Sequence, residues 1–200
     1  MESNKLIFYD YVTKIWDTTI YVIPEILQKA NIEELRDPEN KLFKLEDKLA
    51  FGPLPEWLEL PVVYRCVSGF RYRDDISYGI WTHLISDRLY ELLMINNVTG
   101  WKSYPIRLYS KDGVPVEGYH GFMVSGRGGF YDNYEEYRNY RKRVKGIYNI
   151  KNWDGSDFFR LNNTYIAVTE KVYDIIKTNK LKAFDLSPLD VTLIDSDVIK

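Results

Sequence analysis

The sequence predicts an α+β fold: a single domain, 1–200, with a mixed or antiparallel sheet and an internally duplicated strand–helix–strand unit. Three observations lead there. "ISDRLYELLMINNVTGWKSYP", from Ile85, and "VTEKVYDIIKTNKLKAFDLSP", from Val168, align without a gap at a constant offset of about eighty residues. Segments rich in β-branched and aromatic residues interleave with segments of helical periodicity. The 200 residues are 45% hydrophobic and 28% charged, a globular composition with length enough for a sizeable core.

Taken in chain order, "NKLIFYDYV" and "TTIYVIP" read as strands. From Pro24, "PEILQKANIEELRD" reads as a helix with Ile26, Leu27, Ala30 and Leu35 near one face. Residues 38–61, ending in the proline-rich "FGPLPEWLELP", read as a structured loop or short crossover. They mark the expected seam between an N-terminal part, 1–60, and a duplicated part, 61–200. "VVYRCV" and "SYGIWTHLI" are strand-like and joined by the polar "RYRDD". "GYHGFMV" reads as a strand ending at "SGRGG", and "FFRLNNTYIAV" as a hairpin whose Asn162-Asn163 takes the left-handed turn.

The repeated unit, with copies near 80–109 and 163–194, carries its own start and stop signals. Ser86 or Thr169 caps the helix by accepting from an orphan N–H, and an acidic residue follows at Asp87 or Glu170. Leu89, Leu92 and Leu93 match Val172, Ile175 and Ile176 as one buried stripe. Tyr90 and Tyr173 occupy the position of a hydrophobic staple with Ile85 and Val168. Asn96 and Asn179 stand where each helix stops, in the left-handed conformation Asn tolerates. Gly100 or Ala183 and an aromatic, Trp101 or Phe184, then open a strand. Apolar alternation changes parity across Pro105 and Pro188, which implies a bulge or break on an edge strand. The two helices are expected on related faces of a shared sheet.

Signatures of chemistry are sparse. With only His83 and His120, a His-rich metal site is excluded, and neither HExxH nor CxxC occurs. No metal or cofactor is expected. His83, inside an apolar strand, reads as a core histidine, and Cys66 as a small buried hydrophobe. "MVSGRGG" misses the nucleophile-elbow rule because Met123 replaces the first glycine. His120 with Ser125 therefore supports a hydrolase only as an alternative. "SGRGG" has the backbone to wrap a phosphate but no Walker ending, so a flexible turn is favoured. The pairs Asp74–Asp75 and Glu33–Glu34 read as ordinary exposed carboxylates.

The longest apolar stretches fall far short of the roughly 18–20 residues of a membrane helix. "MESNKLIFYDYV" has no export pattern, and one cysteine fits a reducing compartment, so a cytoplasmic protein is expected, with no membrane partner. The net charge of −2 is uneven: residues 1–60 hold 7 Lys/Arg against 12 Asp/Glu, and 101–160 hold 11 against 7. These parts either cancel by packing together or present an acidic face to a basic partner. Seventeen tyrosines add a hint of a binding surface.

"FYDNYEEYRNYRKRVK" is the most unusual stretch. Its tyrosines recur every third residue, so on a helix the row drifts round and cannot be buried on one stripe. It reads either as a solvated, partly packed helix or as an aromatic and arginine-rich contact surface. The contact residues would be Arg127, Tyr131, Tyr134, Tyr137, Arg138 and Arg141. Nucleic acid is not the expected partner, because the chain as a whole is mildly acidic.

"SDRLYELLMINNVTGWKSYP", after a short apolar strand, resembles the characteristic stretch of bacterial immunity proteins of polymorphic toxin systems, of the immunity protein 43 and immunity protein 11 types. "VTEKVYDIIKTNKLKAFDLSP", led by "DFFRL", resembles their second copy, and "FGP" at Phe51 to Pro53 is a further similar element. The resemblance covers mainly residues 80–200. The second copy departs in Ala183 for Gly and Ser187 for Tyr. It implies a cytoplasmic protein that binds a cognate toxin domain and blocks it by steric occlusion, without catalytic residues. The rival expectations are an enzyme of unknown class and a non-catalytic adaptor domain.

Overall fold

In a computed structural model the described residues are 6–13, 19–78, 82–130, 146–162, 165–182 and 184–195. The fold is α+β, with fifteen strands and five α-helices among those residues. The first half runs β1 (Phe8–Thr13), β2 (Tyr21–Pro24), α1 (Glu25–Lys29), α2 (Ile32–Arg36), α3 (Leu45–Phe51) and β3 (Val62–Ser68). It continues with β4 (Asp75–Tyr78), β5 (Thr82–Ser86), α4 (Asp87–Ile95), β6 (Trp101–Tyr104) and β7 (Ile106–Tyr109). The second half runs β8 (Pro115–Val116), β9 (Tyr119–Val124), β10 (Arg127–Gly129), β11 (Gly146–Asn149) and β12 (Phe158–Leu161). It ends with β13 (Tyr165–Thr169), α5 (Glu170–Thr178), β14 (Phe184–Pro188) and β15 (Val191–Ile194).

Two sheets carry the duplication, in the orders β4-β5-β9-β6 and β10-β12-β13-β1-β14. At an offset of 83 residues (Ile85 to Val168), β4 and β5 correspond to β12 and β13, α4 to α5, and β6 to β14. In each sheet a foreign strand fills the slot between the second strand of the hairpin and the strand after the helix. β9, from the second half, pairs antiparallel with β5 and β6; β1, from the first half, pairs antiparallel with β13 and β14. The registers agree: Ile85 faces His120 where Val168 faces Tyr9, and Trp101 faces Val124 where Phe184 faces Thr13. The halves thus exchange their leading strands, instead of sharing one sheet as expected.

The correspondence reaches the outer sheets. β3 runs parallel to β7 in the sheet β2-β3-β7-β8, and β11 runs parallel to β15 in a two-stranded sheet. Tyr64 on β3 and Tyr148 on β11 sit at equivalent places, and both rings are wholly buried. Their hydroxyls are satisfied, Tyr64 at 2.7 Å from the Tyr104 hydroxyl and Tyr148 donating to the Gly128 carbonyl at 2.8 Å. The chain leaves the inner sheet for the outer one at Pro105 and, in the second copy, beyond Pro188, where the parity break was expected. Both β6 and β14 are edge strands.

Between the two inner sheets lies the main core. Leu89, Leu93 and Val98 of one copy face Val172, Ile176 and Leu181 of the other, with Tyr11, Phe122 and Phe158 between them. Two smaller cores fill each half's sandwich, one around Tyr64, Ile76, Leu84 and Met123, the other around Phe8, Phe159 and Tyr148. Residues 38–61 contribute to the former through Leu42, Leu45 and Leu49.

Local details depart from expectation for identifiable reasons. The helix expected from Pro24 is two short ones, because Ala30 is extended and Asn31 starts again with a capping box: its side chain accepts from Glu34 N and Glu34 accepts from Asn31 N. "SYGIWTHLI" is not one strand; it holds the end of β4 and most of β5, which pair antiparallel, and β4 begins at Asp75. Ser86 caps α4 by accepting from Leu89 N, but Thr169 makes no such bond and its hydroxyl goes to Asp157. The left-handed residues are Asn97 and Lys180, one position later than expected. Asn96 and Asn179 instead donate their side-chain amides back to Leu92 and Ile175 carbonyls. Tyr90 and Tyr173 do anchor their helices, by stacking on the exchanged strand: Tyr90 on His120 at 4.4 Å, Tyr173 on Tyr9 at 4.1 Å.

Reciprocal bonds tie the copies together. Asp74 accepts from Ser86 of its own copy and from Lys182 N of the other; Asp157 accepts from Thr169 and, across the boundary, from Thr99 N. Arg88 reaches the Asn179 carbonyl, as Lys171 reaches that of Asn97. Burial opposes ionisation of Asp157, but the bonds from Thr99, Thr169 and Lys171 outweigh it and hold the carboxyl below its ordinary value. A depressed carboxyl stabilises the fold above about pH 4, its unfolded value, and stops doing so as pH falls through its folded value. Asp157→Ala should therefore cost about 2–4 kcal/mol in urea unfolding at pH 7. The gap between variant and wild type should narrow as the pH is taken below about 4.

Candidate functional site

A cleft of about 580 Å3 lies where β6 and β9 of one sheet approach β10 and β12 of the other. Phe51, Gly52 and Pro53, at the end of α3, form one wall; Met123 to Arg127 form another. Three cations line it: Lys102 on β6, Arg127 on β10 and Arg160 on β12. Among the lining residues there is no carboxylate. The volume is that of a ligand pocket, and its charge favours an anion.

Arg160 is half-buried, with its guanidinium 4.0 Å above the Phe51 ring. Burial pulls its pKa down and the field of Asp47 partly restores it. Lys102 and Arg127 are exposed, and Phe130, just beyond the lining Gly129, is 60% exposed.

The turn "SGRGG" is pinned, not flexible. Ser125 N and Gly126 N both donate to the Gly100 carbonyl, at 2.8 and 3.1 Å, and Arg127 N donates to Asp154 Oδ2 at 2.8 Å. Burial works against the Asp154 carboxylate, yet bonds from Ser156 and Arg127 hold its pKa below the usual value. The N–H groups of Ser125, Gly126 and Arg127 are therefore spent inside the fold, and a backbone phosphate cradle at these residues is ruled out. Gly126 is required here because a Cβ would stand 2.1 Å from the Phe158 carbonyl oxygen.

Equivalent positions across the duplication do not repeat the cleft. Lys102 corresponds to Asp185 and Arg160 to Ser77. On that other side Asp10 is pushed up to about 6, by burial first and then by the charge of Asp185.

A second polar group lies in the main core. Tyr11 donates to Asp75 at 2.9 Å, and His83 Nδ1 stands 3.0 and 3.1 Å from the two oxygens of Asp75. All three are buried, Asp75 completely. Asp75 is thus the correction to an exposed carboxylate pair, whereas His83 is the core histidine expected. Burial and the adjacent Asp75 charge push the Tyr11 hydroxyl well up, so it stays a proton donor. At the equivalent positions stand Phe122, Phe158 and Ile166. None of the three polar groups lines the cleft. They bridge β1 of one sheet to β4 and β5 of the other.

Of the residues singled out in the sequence, Arg127 lines the cleft. Tyr131, Tyr134, Tyr137, Arg138 and Arg141 lie outside the described residues. His120 and Ser125 are not brought together. His120 lies near the start of β9 and Ser125 just past its end, and only Ser125 lines the cleft. His120 stacks on Tyr90 and pairs with Asp87 Oδ1 at 2.8 Å, a structural use of the ring. Cys66 is buried, which pushes its thiol up. Lys102 and Arg160 carried no signal in the sequence, since only the meeting of distant strands makes them neighbours.

Among the described residues no group of His, Cys, Asp and Glu is arranged to hold a metal, and no helix is long and apolar enough to cross a membrane. No family model and no curated protein matches the chain.

The raised carboxyl of Asp10 has a definite pH signature. It keeps its proton in the folded chain up to about pH 6, against about 3.9 when unfolded, so stability falls as pH rises through that window. Asp10→Asn removes the penalty. Its melting temperature should exceed that of wild type at pH 8 and converge with it at pH 4.

Proposed function

We propose that this chain is a cytoplasmic immunity protein that binds a cognate bacterial toxin domain and blocks it by steric occlusion. The observation that supports this most is the cationic cleft, with no carboxylate among its lining residues, exposed Arg127 in that lining and exposed Phe130 next to the lining Gly129, in a chain whose net charge is −2. Arginine and aromatic side chains dominate the few residues that carry binding energy in protein interfaces. A local field of one sign steers an oppositely charged partner and raises the association rate, which a neutralising protein needs. In sequence, Tyr131, Tyr134, Tyr137, Arg138 and Arg141 follow Phe130. The strand–helix–strand motif that carries the family resemblance is the scaffold that holds β6, and with it Lys102, in place.

The test is capture of the toxin domain encoded beside this chain. Purified together, the two should form a stoichiometric complex that suppresses the toxin's activity, and Phe130→Ala should weaken it by about tenfold, or about 1.4 kcal/mol. Absence of a complex, or a complex that leaves the toxin active, removes the proposal.

A further inference from the structure

We infer that the cleft between β6, β10 and β12 receives an extended acidic segment of the captured protein, read by Lys102, Arg127 and Arg160. This rests on the reading of the chain as a toxin-binding protein and adds the chemistry of what enters it. Three observations carry it. Arg127 and Arg160 are register partners on the neighbouring strands β10 and β12, and Lys102 adds a third positive charge from β6 of the other sheet. The backbone N–H groups that would focus positive charge for a compact phosphate, those of Ser125, Gly126 and Arg127, are already bonded to Gly100 and Asp154. The cavity, at about 580 Å3, is far larger than a single oxyanion.

Charge distribution favours carboxylates on a chain. Arg presents a planar fork that matches a carboxylate in two parallel bonds, and Lys adds a point charge that tolerates varied approach. Phe51, Pro53, Met123 and Val124 add apolar atoms to the lining, suited to the stems of Glu side chains. Lys102 lies on an edge strand, the kind of element to which an extended segment is added by strand pairing. The symmetry of the fold supplies a control: with Asp185 and Ser77 in place of Lys102 and Arg160, the other half lacks this arrangement of charge. The cleft is therefore a departure from the duplication, not a by-product of it.

The experiment uses the full chain and a fluorescein-labelled octaglutamate peptide, followed by anisotropy at low and moderate salt. Saturable binding is expected, weakening at least tenfold in Lys102→Gln/Arg127→Gln and falling with salt. A control pair away from the cleft, Arg36→Gln/Arg107→Gln, should bind as wild type, with circular dichroism reporting the fold of every variant. Equal loss in both pairs, no saturable binding, or binding of inorganic pyrophosphate without binding of the peptide each overturns the inference. Capture of the toxin that is unchanged by Lys102→Gln/Arg127→Gln also overturns it and leaves the toxin reading standing. Peptide binding with no toxin capture does the reverse.

Discussion

The exchange of leading strands is the constraint on which the rest of this fold depends. An interior strand makes two ladders, and in each inner sheet one interior strand, β9 or β1, comes from the other copy. Removing β1 would leave β14 without a partner, open one edge of β13 and release Phe8, Tyr9 and Tyr11 from burial. At about 1.5–3 kcal/mol for each large apolar side chain, those three alone amount to about 5–9 kcal/mol. That is comparable to the entire net stability of an ordinary domain. Neither half is therefore an independent folding unit, although the sequence repeats. The reciprocal bonds from Asp74 and Asp157 add direction to this apolar attachment, because each bond fixes one loop of one copy on the strand-entry of the other.

Against that symmetric background the departures stand out. Where one copy places Phe122, Phe158 and Ile166, the other half's equivalents are Tyr11, Asp75 and His83. A buried carboxylate without partners would cost several kcal/mol, so the three substitutions make sense only together. They convert one side of an apolar junction into a hydrogen-bonded one, which specifies its alignment more sharply than hydrocarbon contact does. At the rim the same logic appears as charge: Lys102 faces outward on one edge strand and Asp185 occupies the matching place on the other.

Much of this was legible in the sequence. The α+β class, the duplicated unit, the stripe of Leu89 and Leu93 and the strand break at Pro105 were all readable from local pattern, because each is set by neighbours within a few residues. The hairpin at Asn162 was readable for the same reason, its positive φ being one that asparagine tolerates. What escaped was non-local. Nothing near Phe8 announces that it will enter a sheet built from residues beyond 150. Asp75 looked like half of an exposed acidic pair because its partners, Tyr11 and His83, are supplied by other strands. The cleft was half visible: Arg127 stood out beside the glycines, while Lys102 and Arg160 are unremarkable until three strands converge.

The placement of β1 also governs how the chain matures. On a ribosome, Phe8–Thr13 emerges well before the strands that flank it, Tyr165–Thr169 and Phe184–Pro188. The first inner sheet has all its members once Val124 has appeared. The apolar segment of β1 must meanwhile wait, unpaired, until those strands appear. A chain halted before those flanking strands would thus carry an open hydrophobic ribbon, a natural target for chaperones and proteases.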